Sequence, residues 1–164
     1  MSKLLEALYQ GQNERVAELL ADEPELDVFE AAALGNVPRL RVLLEENPAL
    51  ANAFGEDGFH PLGLACFFGH VDAARLMVEH GADPNLLSRN EQIQTAALHA
   101  ACAAQGVEED TRYELVRLAL EHGADPNLAQ GGGFRPIDAA RQNGDLRVEE
   151  LLLEHGAASA PGES

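Results

Sequence analysis

The chain has 164 residues, of which 46% are hydrophobic, and this is enough for one domain with a continuous apolar core. Its 28 acidic and 11 basic side chains give a formal net charge of -17, a field that repels nucleic-acid phosphates and anionic lipid head groups. We therefore expect neither nucleic acid nor a membrane surface as a partner. The first residues lack a basic region and a long apolar stretch, and two cysteines are too few for a disulfide framework, so cytoplasmic residence is expected.

The apolar residues recur with helical periodicity in short segments that are separated by glycine and proline. The predicted helices form five pairs, at 3–10 with 13–22, 28–34 with 37–46, 62–68 with 71–79, 97–105 with 112–121, and 136–142 with 146–154. Asp27 with Glu30, and Thr111 with Glu114, have the spacing of capping boxes at helix starts. The acidic insertion at 106–110 is predicted to be a mobile loop, because it holds three like charges and little that is apolar.

One segment of eight residues occurs twice in the chain. The sequence Glu-His-Gly-Ala-Asp-Pro-Asn-Leu stands at 79–86 and again, unchanged, at 121–128, and a shortened copy stands at 154–157. The copies start 42 and then 33 residues apart. Self-similarity at a spacing of about 33 residues, lengthened here by an insertion, is typical of stacked structural repeats, none of which buries its apolar face alone. We expect a single domain at 1–157 and a flexible tail at 158–164. The predicted repeat bounds are about 1–26, 27–56, 57–88, 89–130 and 131–157.

A second motif recurs at the start of the first helix of three successive pairs. It reads His-Pro-Leu-Gly-Leu-Ala at 60–65, Ala-Ala-Leu-His-Ala-Ala at 96–101 and Arg-Pro-Ile-Asp-Ala-Ala at 135–140. Together with the Gly69-His70 turn and the Gly-Ala-Asp-Pro-Asn segments, these motifs resemble the ankyrin-repeat family, in its small bacterial form, over essentially the whole chain. The resemblance implies an all-α solenoid of about five helix-turn-helix repeats with β-hairpin finger loops, acting as a non-catalytic protein-binding module.

The chain departs from the family pattern at the helix starts. The family's capping threonine is replaced by His60, Ala96 and Arg135, and the family's histidine three residues later survives only as His99. We expect each lost cap to cost about 1 kcal/mol.

The residues that could carry catalysis or bind a metal have simpler structural roles. The histidines stand mostly where the repeat pattern accommodates them, in turns and last helical turns, and stacked helices hold equivalent residues too far apart for one zinc ion. Cys66 and Cys102 occupy the same small-residue position of neighbouring repeats, which predicts two buried free thiols beyond disulfide distance. The glycine run at 131–133 lacks the lysine of a phosphate-binding loop. We expect no catalytic residue, metal site or cofactor.

Large apolar residues at positions that the family uses for partners predict a binding surface. By the resemblance, these residues belong to the finger loops and to the exposed end of an inner helix, which together form the concave face. The predicted partner-binding residues are Phe59, Phe67, Phe68, Leu86, Leu87, Ile93 and Phe134. Phe59 and Phe134 have an alternative role, which is to stack on adjacent fingers and rigidify them.

The expected partner is a protein of basic or mixed charge, and the chain alone is expected to be monomeric. An alternative from another functional class is an acidic inhibitor or immunity-type protein that occludes a basic enzyme. A small-molecule enzyme or metal protein is disfavoured, because no set of chemical groups converges in the sequence.

Overall fold

The computed structural model describes residues 2–104, 106–130 and 132–158. Within these ranges the chain forms ten α-helices and one 3₁₀ helix, at Pro48–Asn52, and no β-strand. The helices are α1 (Lys3–Tyr9), α2 (Asn13–Ala21), α3 (Val28–Leu34), α4 (Val37–Glu46), α5 (Pro61–Phe67), α6 (Val71–Glu79), α7 (Ala97–Ala103), α8 (Glu109–Glu121), α9 (Pro136–Gln142) and α10 (Leu146–Glu154). Residues 159–164 of the predicted tail, Gly131 of the glycine run and the predicted helix end at Gln105 lie outside the described residues.

The helices stack in two layers, which confirms the all-α solenoid. The inner layer is the series α1, α3, α5, α7 and α9, in which each helix contacts the next. The outer layer is formed in the same way by α4, α6, α8 and α10, and each outer helix also packs on the inner helix that precedes it. Successive repeats therefore bury a continuous core between them.

Small side chains allow the inner helices to approach closely. Ala31, Ala65 and Ala101 have no exposed surface, and the outer helices fill the space behind them with larger residues such as Leu40 and Met77. Cys66 and Cys102 are buried in this alanine layer and are free thiols.

In three of the loops that join successive helix pairs, an asparagine binds the turn of the following repeat. Asn85 Nδ2 donates to the carbonyl oxygen of Gly123 at 3.0 Å, and its Oδ1 accepts from the Asp125 N–H at 2.7 Å. Asn52 and Asn127 make the same pair of bonds one repeat earlier and one repeat later. An asparagine at the same place in three successive repeats, twice within a Gly-Ala-Asp-Pro-Asn segment, therefore sets the register between neighbouring repeats.

The finger loops are hairpin turns without strands in the part of the chain that the structure describes. Each is closed by a backbone bond, such as Gly55 N–H to Phe59 O at 2.9 Å and Ser88 N–H to Thr95 O at 2.9 Å. Neighbouring fingers contact each other through Arg89 N–H and Gly58 O, at 2.7 Å.

The expected loss of the helix cap at His60 is wrong. His60 Nδ1 accepts a hydrogen bond from the Gly63 N–H at 3.0 Å, so the imidazole itself caps α5. At the start of α7 the bond runs the other way, because His99 Nδ1 accepts from the Ala96 N–H at 3.2 Å. In both repeats an imidazole ring links the N-cap residue to the residue three places later. The ring belongs to the N-cap residue at α5 and to the later residue at α7.

The N-cap side chains of the other two repeats make no cap bond, as expected, but the residue three places later compensates. Besides His99 at the start of α7, Asp138 Oδ2 accepts from the Arg135 N–H at 2.9 Å at the start of α9. Each helix start therefore keeps a satisfied backbone donor without the family's threonine.

The predicted capping box at Thr111 and Glu114 is also wrong. Helix α8 begins at Glu109 and therefore includes the end of the insertion. Glu109 and Asp110 favour this start, because acidic side chains stabilise the first turn of a helix. Only 106–108 remains a loop, and its mobility stays a prediction. Arg112 Nη2 lies at 2.9 Å from the Ala104 carbonyl oxygen, and half-buried Val107 packs against Gly69 of the preceding repeat.

Candidate partner-binding groove

A groove of about 480 Å³ lies between the finger loops and the inner helices. Phe59 reaches it from the loop between α4 and α5, which we call the second finger, and Ile93 from the loop between α6 and α7, the third finger. Phe67 lines it from α5, and Ala100 and Ala103 line it from α7. We call this feature the apolar groove. Its lining is predominantly hydrophobic and aromatic, as in sites that bind apolar groups.

Two of the predicted site residues are exposed at the apolar groove. Phe67 is 41% exposed and Ile93 is 50% exposed. Phe68 is half-buried and lies edge to face with Phe67, at 5.1 Å between ring centroids. The structure thus turns one of the two adjacent rings outward and packs the other beneath it.

Tyr9 forms one end of the apolar groove. Its ring stacks on Phe68 with 6.0 Å between centroids and meets the edge of Phe59 at 6.3 Å. The Tyr9 hydroxyl donates to Asp57 Oδ2 at 2.9 Å, and burial together with this carboxylate raises the pKa of Tyr9. Four aromatic rings are therefore continuous from the first repeat to the third.

Sequence reasoning missed Tyr9, although a signal was present. Tyr9, Phe67 and Ala103 are each the last residue of an inner helix, and all three line the apolar groove. An aromatic residue at the end of the first inner helix therefore had the same positional signature as Phe67.

Three of the predicted residues are not brought to the apolar groove. Leu86 and Leu87 lie half-buried in the third finger, outside the lining. Phe134 is half-buried and packs against the hydrophobic core, as Phe59 also does. The structure thus gathers Phe59, Phe67 and Ile93, with Phe68 in contact through its ring.

His60 lies in the wall of the apolar groove with only 2% of its surface exposed. Its ring occupies the space beside Gly63, where an added Cβ would stand 3.0 Å from His60 Cε1. Burial lowers the pKa of His60, which the nearby Leu86 and Thr95 carbonyls partly oppose. The ring is neutral at pH 7 and has a structural role, because Nδ1 is committed to capping α5.

A polar cleft of about 530 Å³ adjoins the apolar groove between the same two fingers. It is lined by Glu56, Asp57 and Glu91, together with Arg89, whose guanidinium lies 4.0 Å from the centroid of the Phe54 ring. Carboxylates therefore outnumber cations beside Phe59 and Ile93.

Other chemistry is sparse in residues 2–104, 106–130 and 132–158. No group of three histidine, cysteine, aspartate or glutamate side chains in these ranges is placed to hold a metal ion. Burial raises the pKa of Cys66 and of Cys102 to about 12, so both thiols are protonated and unreactive at pH 7. Over the same ranges no helix combines the length and apolar character that a bilayer span requires.

Comparison with known proteins identifies the family. Residues 4–88 match ankyrin repeats (3 copies), and residues 98–153 match ankyrin repeats (many copies). The chain belongs to the ankyrin-repeat family. Ankyrin repeats are protein-interaction modules, generally without catalytic activity, and imply protein partners.

Similar curated proteins are longer than this chain. The rice (Oryza sativa subsp. japonica) probable E3 ubiquitin-protein ligase XBOS33 is 34% identical over 133 residues, 80% of this chain and 24% of that protein. The human DNA-binding protein RFXANK is 34% identical over 77 residues, 47% of this chain and 30% of that protein. Human ankyrin repeat family A protein 2 is 30% identical over 95 residues, 58% of this chain and 28% of that protein. The chain thus spans less than a third of each of these relatives.

Proposed function

We propose that this chain binds a protein partner by receiving apolar side chains in the apolar groove. The observation that carries the proposal is the clustering of exposed apolar surface. The described residues include five exposed large hydrophobic side chains, Val42, Phe67, Ile93, Leu146 and Leu153, and two of these, Phe67 and Ile93, line this one groove. Exposed apolar surface that is contiguous and rimmed by polar residues marks interaction sites.

The centre of the proposed site is Phe67, with Phe59, Ile93 and Tyr9 around it. Phe68 supports the centre from below, since its ring packs between Phe67 and Tyr9. Aromatic side chains in a well-packed setting contribute most of the binding free energy at protein interfaces. Leu86, Leu87 and Phe134 belong to the margin of the proposed surface.

The charge of the chain favours a partner of basic or mixed charge. The net charge of -17 repels another copy of the chain, nucleic acid and anionic membranes, so the proposal takes the free protein to be a monomer. Glu56, Asp57 and Glu91 beside the apolar groove would steer lysine and arginine side chains toward it.

The proposed activity is binding without catalysis or a cofactor. The groove histidine, His60, caps a helix, and the two thiols are buried and protonated. Reduced thiols also fit the proposed cytoplasmic location.

The test is a comparison of partner recovery by Phe67→Ala, Ile93→Ala and Leu146→Ala variants of the full chain. Leu146 is the matched control, because it is 74% exposed but lies at the start of α10, outside the groove. Truncation of a buried aromatic anchor costs about 2 kcal/mol or more, which is about a thirtyfold loss of affinity. We expect that loss for Phe67→Ala, a smaller loss for Ile93→Ala, and none for Leu146→Ala.

Circular dichroism must first show that all three variants are folded. Equal recovery of the partner by every variant would place the interface elsewhere, with the acidic outer helices as the next surface to test.

A further inference from the structure

The first repeat is attached to the array more weakly than its successors. Helix α2 has no buried residue, whereas each later outer helix buries at least two. Attachment depends mainly on α1, whose buried residues are Leu4, Leu5 and Ala7, while α2 contributes only half-buried side chains to the core. Terminal units that bury little apolar surface open at lower free energy than the whole array.

The linker after the first repeat is exposed and strained. Residues 22–25, which connect α2 to the second repeat, are all exposed. Glu23 has a φ of 47°, and no other non-glycine residue in the described ranges has a positive φ. A side chain in this left-handed region costs conformational energy, which a change of the backbone angles at Glu23 would release.

Tyr9 joins this weakly attached repeat to the apolar groove. Its hydroxyl bonds to Asp57, 48 residues further along the chain, and its ring covers parts of Phe59 and Phe68. The same ring is an end wall of the groove. Movement of the first repeat would therefore remove that wall and uncover two aromatic side chains.

We propose that the first repeat is a hinged end wall of the apolar groove, latched by the Tyr9–Asp57 hydrogen bond. It opens at residues 22–25 without unfolding of the later repeats. A partner side chain that contacts Tyr9 binds only the latched state, so occupation of the groove and docking of the first repeat stabilise each other. This consequence for binding depends on the proposed function, whereas the latch and its opening do not.

Native-state hydrogen exchange on the free, full-length chain tests the latch without any partner. We expect amides of α1 and α2 to exchange at least about tenfold faster than those of α5, through local opening. Tyr9→Phe keeps the ring and removes the hydrogen bond to a carboxylate. Because a hydrogen bond to a carboxylate changes an opening equilibrium constant about tenfold or more, the variant should speed exchange in α1 and α2 about tenfold. Exchange in α5 and α9 should not change.

The chain provides a matched control in its other tyrosine. Tyr113 lies on α8 beneath Arg147, with 4.6 Å from the guanidinium carbon to the ring centroid, so Tyr113→Phe removes a hydroxyl far from the hinge. It should not change exchange in α1 and α2.

Two results would overturn the proposal. One is exchange of the wild-type α1 and α2 amides at the same rate as α5, which would mean that the first repeat opens only with the whole array. The other is a uniform acceleration in every repeat by Tyr9→Phe, which would make Tyr9 a general stabilising residue. A groove that fails to bind a partner would refute the proposed function but would not change either exchange result.

Discussion

Replacing Asp145 by alanine should destabilise the last repeat far more than removal of a comparable surface carboxylate. Asp145 Oδ2 lies 3.2 Å from Arg112 Nη1, and their side chains are only 4% and 12% exposed. Asp145 Oδ1 also accepts from the Val148 N–H at 3.2 Å and so caps α10. One side chain therefore both neutralises a buried guanidinium from the fourth repeat and begins the outer helix of the fifth.

The expected cost of Asp145→Ala follows from these two roles. Removing one partner of a buried ion pair costs about 3–5 kcal/mol, because the remaining charge is left desolvated. Loss of the helix cap adds about 1 kcal/mol. In a stacked array the loss cannot exceed the free energy that docks the last repeat, since α9 and α10 can then detach alone. We expect a loss of about 3 kcal/mol or more, confined to the last repeat.

The assay is urea unfolding followed by circular dichroism, with hydrogen exchange to locate the change. Asp110→Ala is the matched control, because Asp110 also pairs with an arginine between α8 and α10 but is 85% exposed. Exposed pairs contribute at most about 1 kcal/mol. If Asp145→Ala destabilises the chain no more than Asp110→Ala, or destabilises all repeats evenly, the buried pair does not hold the last repeat in place.

Three further predictions concern titration, thiols and a glycine. Burial lowers the pKa of His60 and of His99 below the unfolded value of 6.5, so the free energy of unfolding should be constant above about pH 6.5 and fall as the pH drops below it. Thermal melts from pH 8 to pH 5 should show this decrease. An equal decrease in the His60→Gln variant would contradict the assignment to His60. The Cys66 and Cys102 thiols should react with a disulfide reagent only in denaturant, and a native crosslink between them under mild oxidation would show that the two repeats are misaligned. Gly35→Ala should cost more stability than Gly11→Ala, although the two glycines have similar φ angles of 71° and 67°. A Cβ at Gly35 would lie 2.5 Å from His70 Nδ1, whereas one at Gly11 would meet no atom within 4 Å. Equal losses of stability in urea melts would mean that the His70 side chain moves aside freely.

The sequence by itself determined the repeat architecture and most helix bounds. Helical periodicity, prolines in first turns and glycines after helix ends are local signals, and they placed helices such as α3, α4, α6 and α10 at their observed limits. The Gly-Ala-Asp-Pro-Asn segments at 81–85 and 123–127 indicated that the chain is built of repeats, and the asparagine of each segment binds the equivalent turn of the following repeat. In an array that is stabilised by contacts between neighbouring repeats, the spacing of the repeats in the sequence predicts the fold.

The tertiary structure decided how individual side chains are used. The capping role of His60 depends on the orientation of its ring toward Gly63. The earlier start of α8 places Arg112 within the helix, where its side chain pairs with Asp145 of the next repeat. Tyr9 joined the candidate site through Asp57, a residue 48 positions away. Such contacts depend on distances across the stack, which a local pattern does not specify. The sequence therefore identified Phe67 and Ile93 as candidates, whereas only the stacked repeats placed them around one groove.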